Sequence, residues 1–142
     1  MSNIYWADGE FIPKEQAKIS PLTHTLHYGL GAFEGVRSYQ SHDGKKSLIF
    51  RLVDHTKRLL ESAKIIGVDV DYSLDQLIEA QIEVVKRSKL TNSYIRPLVY
   101  IGSERLGLDI IDIDRHVMIS SIEWPNYFGS YAQEKGIEVM IS

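Results

Sequence analysis

There is no cysteine in the 142 residues, and that absence removes disulfide frameworks, thiolate zinc sites and cysteine nucleophiles while leaving the redox compartment open. Long apolar runs are missing as well. Nothing approaches the roughly 20 consecutive apolar residues of a membrane-spanning helix, and Met1-Ser-Asn-Ile-Tyr-Trp-Ala-Asp8 lacks the basic start and apolar core of an export signal. A soluble cytoplasmic chain with no membrane partner is expected. Charge of one sign is nowhere concentrated: 16 basic and 19 acidic side chains are spread along the sequence, so nucleic acid is not an expected partner. No P-loop, dinucleotide glycine fingerprint or Gly-x-Ser-x-Gly elbow occurs, which excludes the commonest phosphate-binding and hydrolase signatures. Repeats and low-complexity tracts are absent too.

What is present is an apolar fraction of 44%, enough for residues 1–142 to form one domain with a sizeable core and too little chain for two. Ile4-Tyr-Trp6 and Phe11-Ile-Pro13 flank Asp8-Gly9, a dipeptide suited to a tight hairpin turn. Alternation then predicts a strand from Ala32 to Tyr39, with Phe33, Gly35, Arg37 and Tyr39 on one face and Ala32, Glu34, Val36 and Ser38 on the other. Ser47 to Leu52 reads as its return strand. Helical spacing follows from Asp54 to Ile66, with Gly67 as its stop. Ser73-Leu-Asp-Gln76 has the pattern of a capping box and opens a second helix ending near Leu90. Tyr94 to Ile101 alternates again, placing Tyr94, Arg96, Leu98 and Tyr100 on one face ahead of a Gly-containing loop over 102–108. Val117 to Trp124 and Ile137 to Ile141 are the last predicted strands, separated by a Pro-Asn turn and a short helical stretch stopping at Gly136. The fold class that results is α+β, a mainly antiparallel sheet packed with two helices.

Two of these strands set an arginine among aromatic residues on one face. A guanidinium fork matches a carboxylate or phosphate bidentately, aromatic walls hold an apolar body, and Gly35 leaves room for a ligand beside the backbone. That combination points to a small amphiphilic acid, although arginines also snorkel from ordinary half-buried sheets. His24-Thr-Leu-His27 has the spacing of one helical turn, but with no third ligand pattern nearby a metal site is rejected. Arg51 and Arg58 bracket the start of a helix, where an anion could gain from both charge and helix end. From the residues alone, the domain is an anion-binding α+β unit.

Read together and in order, His27-Tyr-Gly29, Phe33-Glu-Gly-Val-Arg37, Arg58-Leu59, Ser62-Ala-Lys64 and Tyr94-Ile-Arg-Pro-Leu98 resemble the small N-terminal domain of the branched-chain amino acid aminotransferases of pyridoxal-phosphate fold type IV. The D-amino acid aminotransferases and aminodeoxychorismate lyases share that fold but look different at the Phe33 and Tyr94 segments. The resemblance implies pyridoxal 5'-phosphate as cofactor, its phosphate held partly by Arg58. It implies a substrate pocket lined by Phe33, Gly35, Arg37, Tyr94, Arg96 and Tyr127. Tyr28 and the loop Leu106-Gly107-Leu108 would reach the pocket of a neighbouring subunit, making the functional unit a homodimer or larger.

The substrates implied are branched-chain amino acids and their 2-oxo acids together with glutamate and 2-oxoglutarate. Phe33 and Leu108 would cover the aliphatic side chain, at roughly 25 cal/mol per Å² of apolar surface removed from water. Arg96, Tyr28 and Tyr127 would take the γ-carboxylate and Tyr94 the α-carboxylate, while Arg37 holds the aromatic residues in place. None of the nine lysines, the last being Lys135, lies in a segment like that around the family's catalytic lysine, which belongs to a C-terminal domain. The chain is therefore expected to be a domain-sized piece without catalytic residues of its own, inactive alone and prone to self-association. Two other readings stand beside this one: a free-standing module for small carboxylates, and an oligomerisation domain.

Overall fold

Asp8 and Gly9 carry positive φ angles of 46° and 96°, so the chain opens as the expected hairpin, with β1 (Ile4–Ala7) antiparallel to β2 (Glu10–Pro13) and Trp6 opposite Phe11. The computed structural model describes residues 4–124 and 129–141. After the hairpin come a short helix α1 (His24–Tyr28), strands β3 (Gly31–Phe33), β4 (Val36–Gln40) and β5 (Ser47–Ile49), and helices α2 (Leu52–Ile65) and α3 (Leu74–Ser88). Two long strands, β6 (Ser93–Ile101) and β7 (Arg115–Ile122), and a last helix α4 (Gly129–Lys135) follow. The strands form one seven-stranded sheet in the order β2-β1-β7-β6-β4-β5, with β3 also paired to β6. Every pairing is antiparallel.

The strand expected over 32–39 is present in two pieces. Gly31 faces Tyr100 and Phe33 faces Leu98, while Val36 faces Ile95 and Ser38 faces Ser93, so the register runs unslipped through Glu34-Gly35. Pro97 explains the break. The Glu34 amide donates to its carbonyl at 3.1 Å, but proline has no N–H to return, so the ladder lapses there while the pleat continues. Burial alternates as the pleat demands: Ala32, Glu34, Val36 and Ser38 are buried, Phe33 and Tyr39 exposed, Gly35 and Arg37 between.

The buried face carries the core. Ala32, Val36, Ile95, Val99, Val117, Ile119 and Trp6 meet Leu52, Leu59 and Ala63 of α2 and Leu77, Ala80, Val84 and Val85 of α3. Gly67, at φ 74°, ends the helical run close to where it was expected, and α2 begins two residues earlier than the spacing indicated. At the start of α3 the capping box is reciprocal: the Gln76 amide donates to Ser73 Oγ at 3.3 Å and the Ser73 amide to Gln76 Oε1 at 2.8 Å. The two helices are joined where buried Gln81 donates from Nε2 to Thr56 Oγ1 at 2.8 Å. Neither α2 nor α3 covers the second face of the sheet, and Phe33 and Tyr39 stand exposed on it. No helix among the described residues is long and apolar enough to cross a membrane.

Two expectations change. The structure adds α1 to the two predicted helices, and the expected strand from Ile137 to Ile141 does not form: Ile137, Val139, Met140 and Ile141 join no strand and are 54–95% exposed. Their apolar, β-branched composition has strand propensity, but a strand needs an edge to pair with. The Pro-Asn turn falls outside the described residues.

Leu59 is wholly buried between sheet and helices. Leu59→Ala should cost about 2–5 kcal/mol in urea unfolding, whereas Ile65→Ala, at a position 84% exposed, should change stability by less than about 0.5 kcal/mol.

Candidate functional site

On the face that α2 and α3 leave uncovered, β3, β4 and β6 bring five of the expected pocket residues together. Arg37 and Tyr94 are direct cross-strand partners. Arg96 Nη2 donates to the Tyr94 hydroxyl at 3.0 Å, and the Arg96 guanidinium lies 4.2 Å above the Phe33 ring and 5.1 Å from that of Tyr94. Tyr94 is stacked at 4.5 Å on Trp124. Gly35 makes this packing possible: a methyl group there would overlap the Tyr94 hydroxyl and lie 2.6 Å from its Cζ. Arg37 approaches the Tyr39 ring at 5.6 Å, and its Nε is buried without a partner among the described residues. Tyr100, on the same face of β6, is engaged elsewhere, stacked at 4.9 Å on His116, so it is not part of the arginine cluster.

Beneath the same strand the geometry is ionic. Glu34 is 5% exposed, and both of its oxygens face Arg58: Nε donates to Oε1 and Nη2 to Oε2 at 2.7 Å. His55 Nδ1 donates to Oε2 at 2.9 Å, and the Gly35 amide reaches the same oxygen at 3.3 Å. Burial pushes this carboxyl up, but the bonds from Arg58, His55 and Gly35, with the charge of Arg58, outweigh it and hold the group below its ordinary value of 4.5. Glu34 in turn pushes the Arg58 pKa up, by hydrogen bond and by charge. Although anchored, Arg58 is 64% exposed, and with Phe50, Arg51, Asp54 and His55 it lines a cavity of about 270 Å³. Arg51 is paired with Asp54 at 2.7 Å.

The remaining expected residues lie at the far end of β6. The amide of His24 donates to the Gly102 carbonyl at 2.7 Å, and the Ile101 amide donates to Thr25 Oγ1 at 2.8 Å, so α1 closes the end of that strand. His24 is buried, donates from Nε2 to the Gly107 carbonyl at 2.8 Å, and packs its ring at a tilt against that of Tyr28, with centroids 4.4 Å apart. Tyr28 and the loop Leu106-Gly107-Leu108 are thereby one unit, with Tyr28 43%, Leu106 46% and Leu108 88% exposed. His27 Nε2 donates instead to the Pro21 carbonyl at 2.9 Å. Tyr127 lies outside the described residues. All nine lysines are exposed.

The model of the amino-transferase class IV family matches residues 31–139. This chain belongs to the class IV aminotransferases. The Pseudomonas aeruginosa branched-chain-amino-acid aminotransferase is 43% identical over 139 residues, covering 98% of this chain and 45% of that protein. The crystal structure of the Escherichia coli branched-chain amino acid aminotransferase superposes with a TM-score of 0.93 at 38% identity, over 100% of this chain and 46% of that one. The branched-chain aminotransferase of the thermophilic archaeon Thermoproteus uzoniensis, solved with norvaline, gives a TM-score of 0.82 at 40% identity, over 89% and 42%. The chain thus spans somewhat under half the length of the relatives it matches, and its α+β architecture is that of the small domain of fold type IV.

For a class IV aminotransferase the arrangement fits a phosphorylated cofactor: an arginine fixed by a buried carboxylate lines an open cavity together with His55. Glu34 and His55 were not among the residues singled out by sequence. The signal for Glu34 was available, because alternation set an acid between Ala32 and Val36 on the apolar face, and a buried acid requires a cationic partner.

Two outcomes follow from this geometry. Gly35→Ala should lower the melting temperature by displacing Tyr94, and the loss should largely vanish when the same change is made in a Tyr94→Ala background. Because the Glu34 pKa is depressed on folding, its contribution to stability is present above about 4.5 and is lost as pH falls through the folded value. Denaturant titrations from neutral to acid pH should show that acid-limb loss in the wild type and a shallower one in Glu34→Gln.

Proposed function

We propose that this chain is the small domain, spanning residues 1–142, of a cytoplasmic pyridoxal-phosphate-dependent aminotransferase that moves amino groups between the branched-chain L-amino acids Leu, Ile and Val and 2-oxoglutarate. The observation that carries the reading is Arg96, poised over Phe33 and bonded to Tyr94, whose ring fills the space beside Gly35 that the sequence had suggested for a ligand. An apolar wall and a carboxylate fork share one site there. The names of the relatives support the same substrates.

When bound, pyridoxal phosphate supplies the electron sink for chemistry at the amino acid's Cα. The chain's own residues bind and orient. Arg58 holds the phosphate. Phe33 and Leu108 cover a branched side chain and exclude water from it. Arg96, joined by Tyr28 and Tyr127, receives the γ-carboxylate when glutamate enters, and the Tyr94 hydroxyl takes the α-carboxylate. Arg37 keeps the aromatic residues in register. The lysine that carries the cofactor is not one of the nine exposed here, so this chain alone is inactive. Tyr28 and Leu106-Gly107-Leu108, fixed as one exposed unit at the far end of β6, complete the pocket of a second copy, and the enzyme is at least a homodimer.

An assay of the complete gene product with leucine, isoleucine, valine and D-alanine against 2-oxoglutarate tests this. Turnover of the three L-amino acids and none of D-alanine is expected. Arg96→Ala should reduce kcat/KM for glutamate by about 10- to 100-fold, the worth of a charge-assisted hydrogen bond, and that for leucine far less. Efficient D-alanine turnover would replace the branched-chain assignment by a D-amino acid one.

A further inference from the structure

We infer that Glu34 is a positioning residue for the cofactor phosphate, acting through Arg58; this rests on the reading of Arg58 given above. An arginine on a helix surface samples many rotamers, and fixing it at the moment a ligand binds weakens the binding. Here the fixing is done in advance. Glu34 engages the Nε and Nη2 edge of the guanidinium with both carboxylate oxygens, which leaves the opposite edge directed away from it. The carboxylate cannot itself wander: it is 5% exposed, is held by His55 at 2.9 Å, and receives the amide of its neighbour Gly35 at 3.3 Å.

Location adds a second argument. Glu34 lies at the one place where the ladder between β3, β4 and β6 lapses, opposite Pro97, and its successor Gly35 is the residue on which Tyr94 rests. One dipeptide therefore sets the phosphate arginine on one side of the sheet and the substrate tyrosine on the other.

The test uses the apo form of the complete gene product, titrated with pyridoxal phosphate and, separately, with pyridoxal, which lacks the phosphate, following absorbance of the bound cofactor. Glu34→Gln should weaken pyridoxal phosphate about tenfold or more and leave pyridoxal unchanged. Glu34→Asp should recover part of the loss. In an Arg58→Ala background, Glu34→Gln should add nothing further. Equal weakening of both ligands by Glu34→Gln would make the residue structural only and overturn the inference. So would tighter pyridoxal phosphate binding, which would mean that the carboxylate's charge opposes the phosphate more than its hydrogen bonds help. If Arg58→Ala itself spared the preference for the phosphorylated ligand, the assignment of Arg58 would fall instead, and the two failures are distinguishable.

Discussion

The unslipped pairing of residues 31–38 with residues 93–100 is the constraint on which the rest depends. It places Arg37 across from Tyr94 and the Glu34-Gly35 step beside Arg96-Pro97, so that candidate pocket residues separated by some sixty positions in sequence meet on one face. A slip of one residue would exchange the faces of a strand. Glu34 would then stand in the open and Phe33 in the core, and both the anchor of Arg58 and the ring beneath Arg96 would be lost together. The buried hydroxyl pair of Ser38 and Ser93, 2.8 Å apart, helps hold that register, because a slip of two residues, which keeps the faces, would set Ser38 opposite Ile95 or Ser93 opposite Val36.

That register makes sense only with α2 docked behind it. Consecutive residues of α2 do different work: Leu59 is wholly buried and ties the helix to the sheet, while Arg58 beside it emerges toward solvent and turns back to Glu34. A buried carboxylate is costly to desolvate, and removing its partner leaves an uncompensated charge worth several kcal/mol. Glu34 escapes that penalty because four donors converge on it. The helix is fixed in turn through Thr56, which donates to the Leu52 carbonyl at 2.8 Å and accepts from Gln81 of α3. The position of Arg58 thus depends on core packing two layers deep.

Much of this was legible in the sequence, for a physical reason. Period-two alternation is a local property, so the faces of 32–39 and 94–101 could be written down before the partners were known. The same holds for the hairpin at Asp8-Gly9 and the capping box at Ser73, where two or four residues contain the whole signal. What could not be read was non-local. That Pro97 interrupts the strand beside Glu34 depends on which strand lies alongside, and that His24 binds the Gly107 carbonyl joins residues far apart in the chain. The segment Ile137–Ile141 failed in the opposite sense: its composition favours a strand, but none of the described strands pairs with it. Local propensity nominates a strand, and pairing decides it.

The two groups of exposed site residues also differ in how they are held, and the difference bears on how a shared pocket would work. Phe33, Tyr94 and Arg96 sit on sheet strands, with Phe33 paired to Leu98, Tyr94 between Arg37 and Ile122, and Arg96 opposite Ser120. Tyr28 and Leu106–Leu108 hang on a five-residue helix and a loop joined through one imidazole. The α1 contact at Ile101 lies five residues along β6 from Arg96, about 17 Å at the usual rise of a strand. Rigid placement suits the residues that select a carboxylate, because a bidentate fork tolerates little error. Residues that cover an aliphatic side chain face a looser demand, since apolar contact is non-directional and scales with area. A loop can adjust to leucine, isoleucine or valine without disturbing the arginine, so in the proposed enzyme the strand-held half gives selectivity and the loop-held half gives breadth.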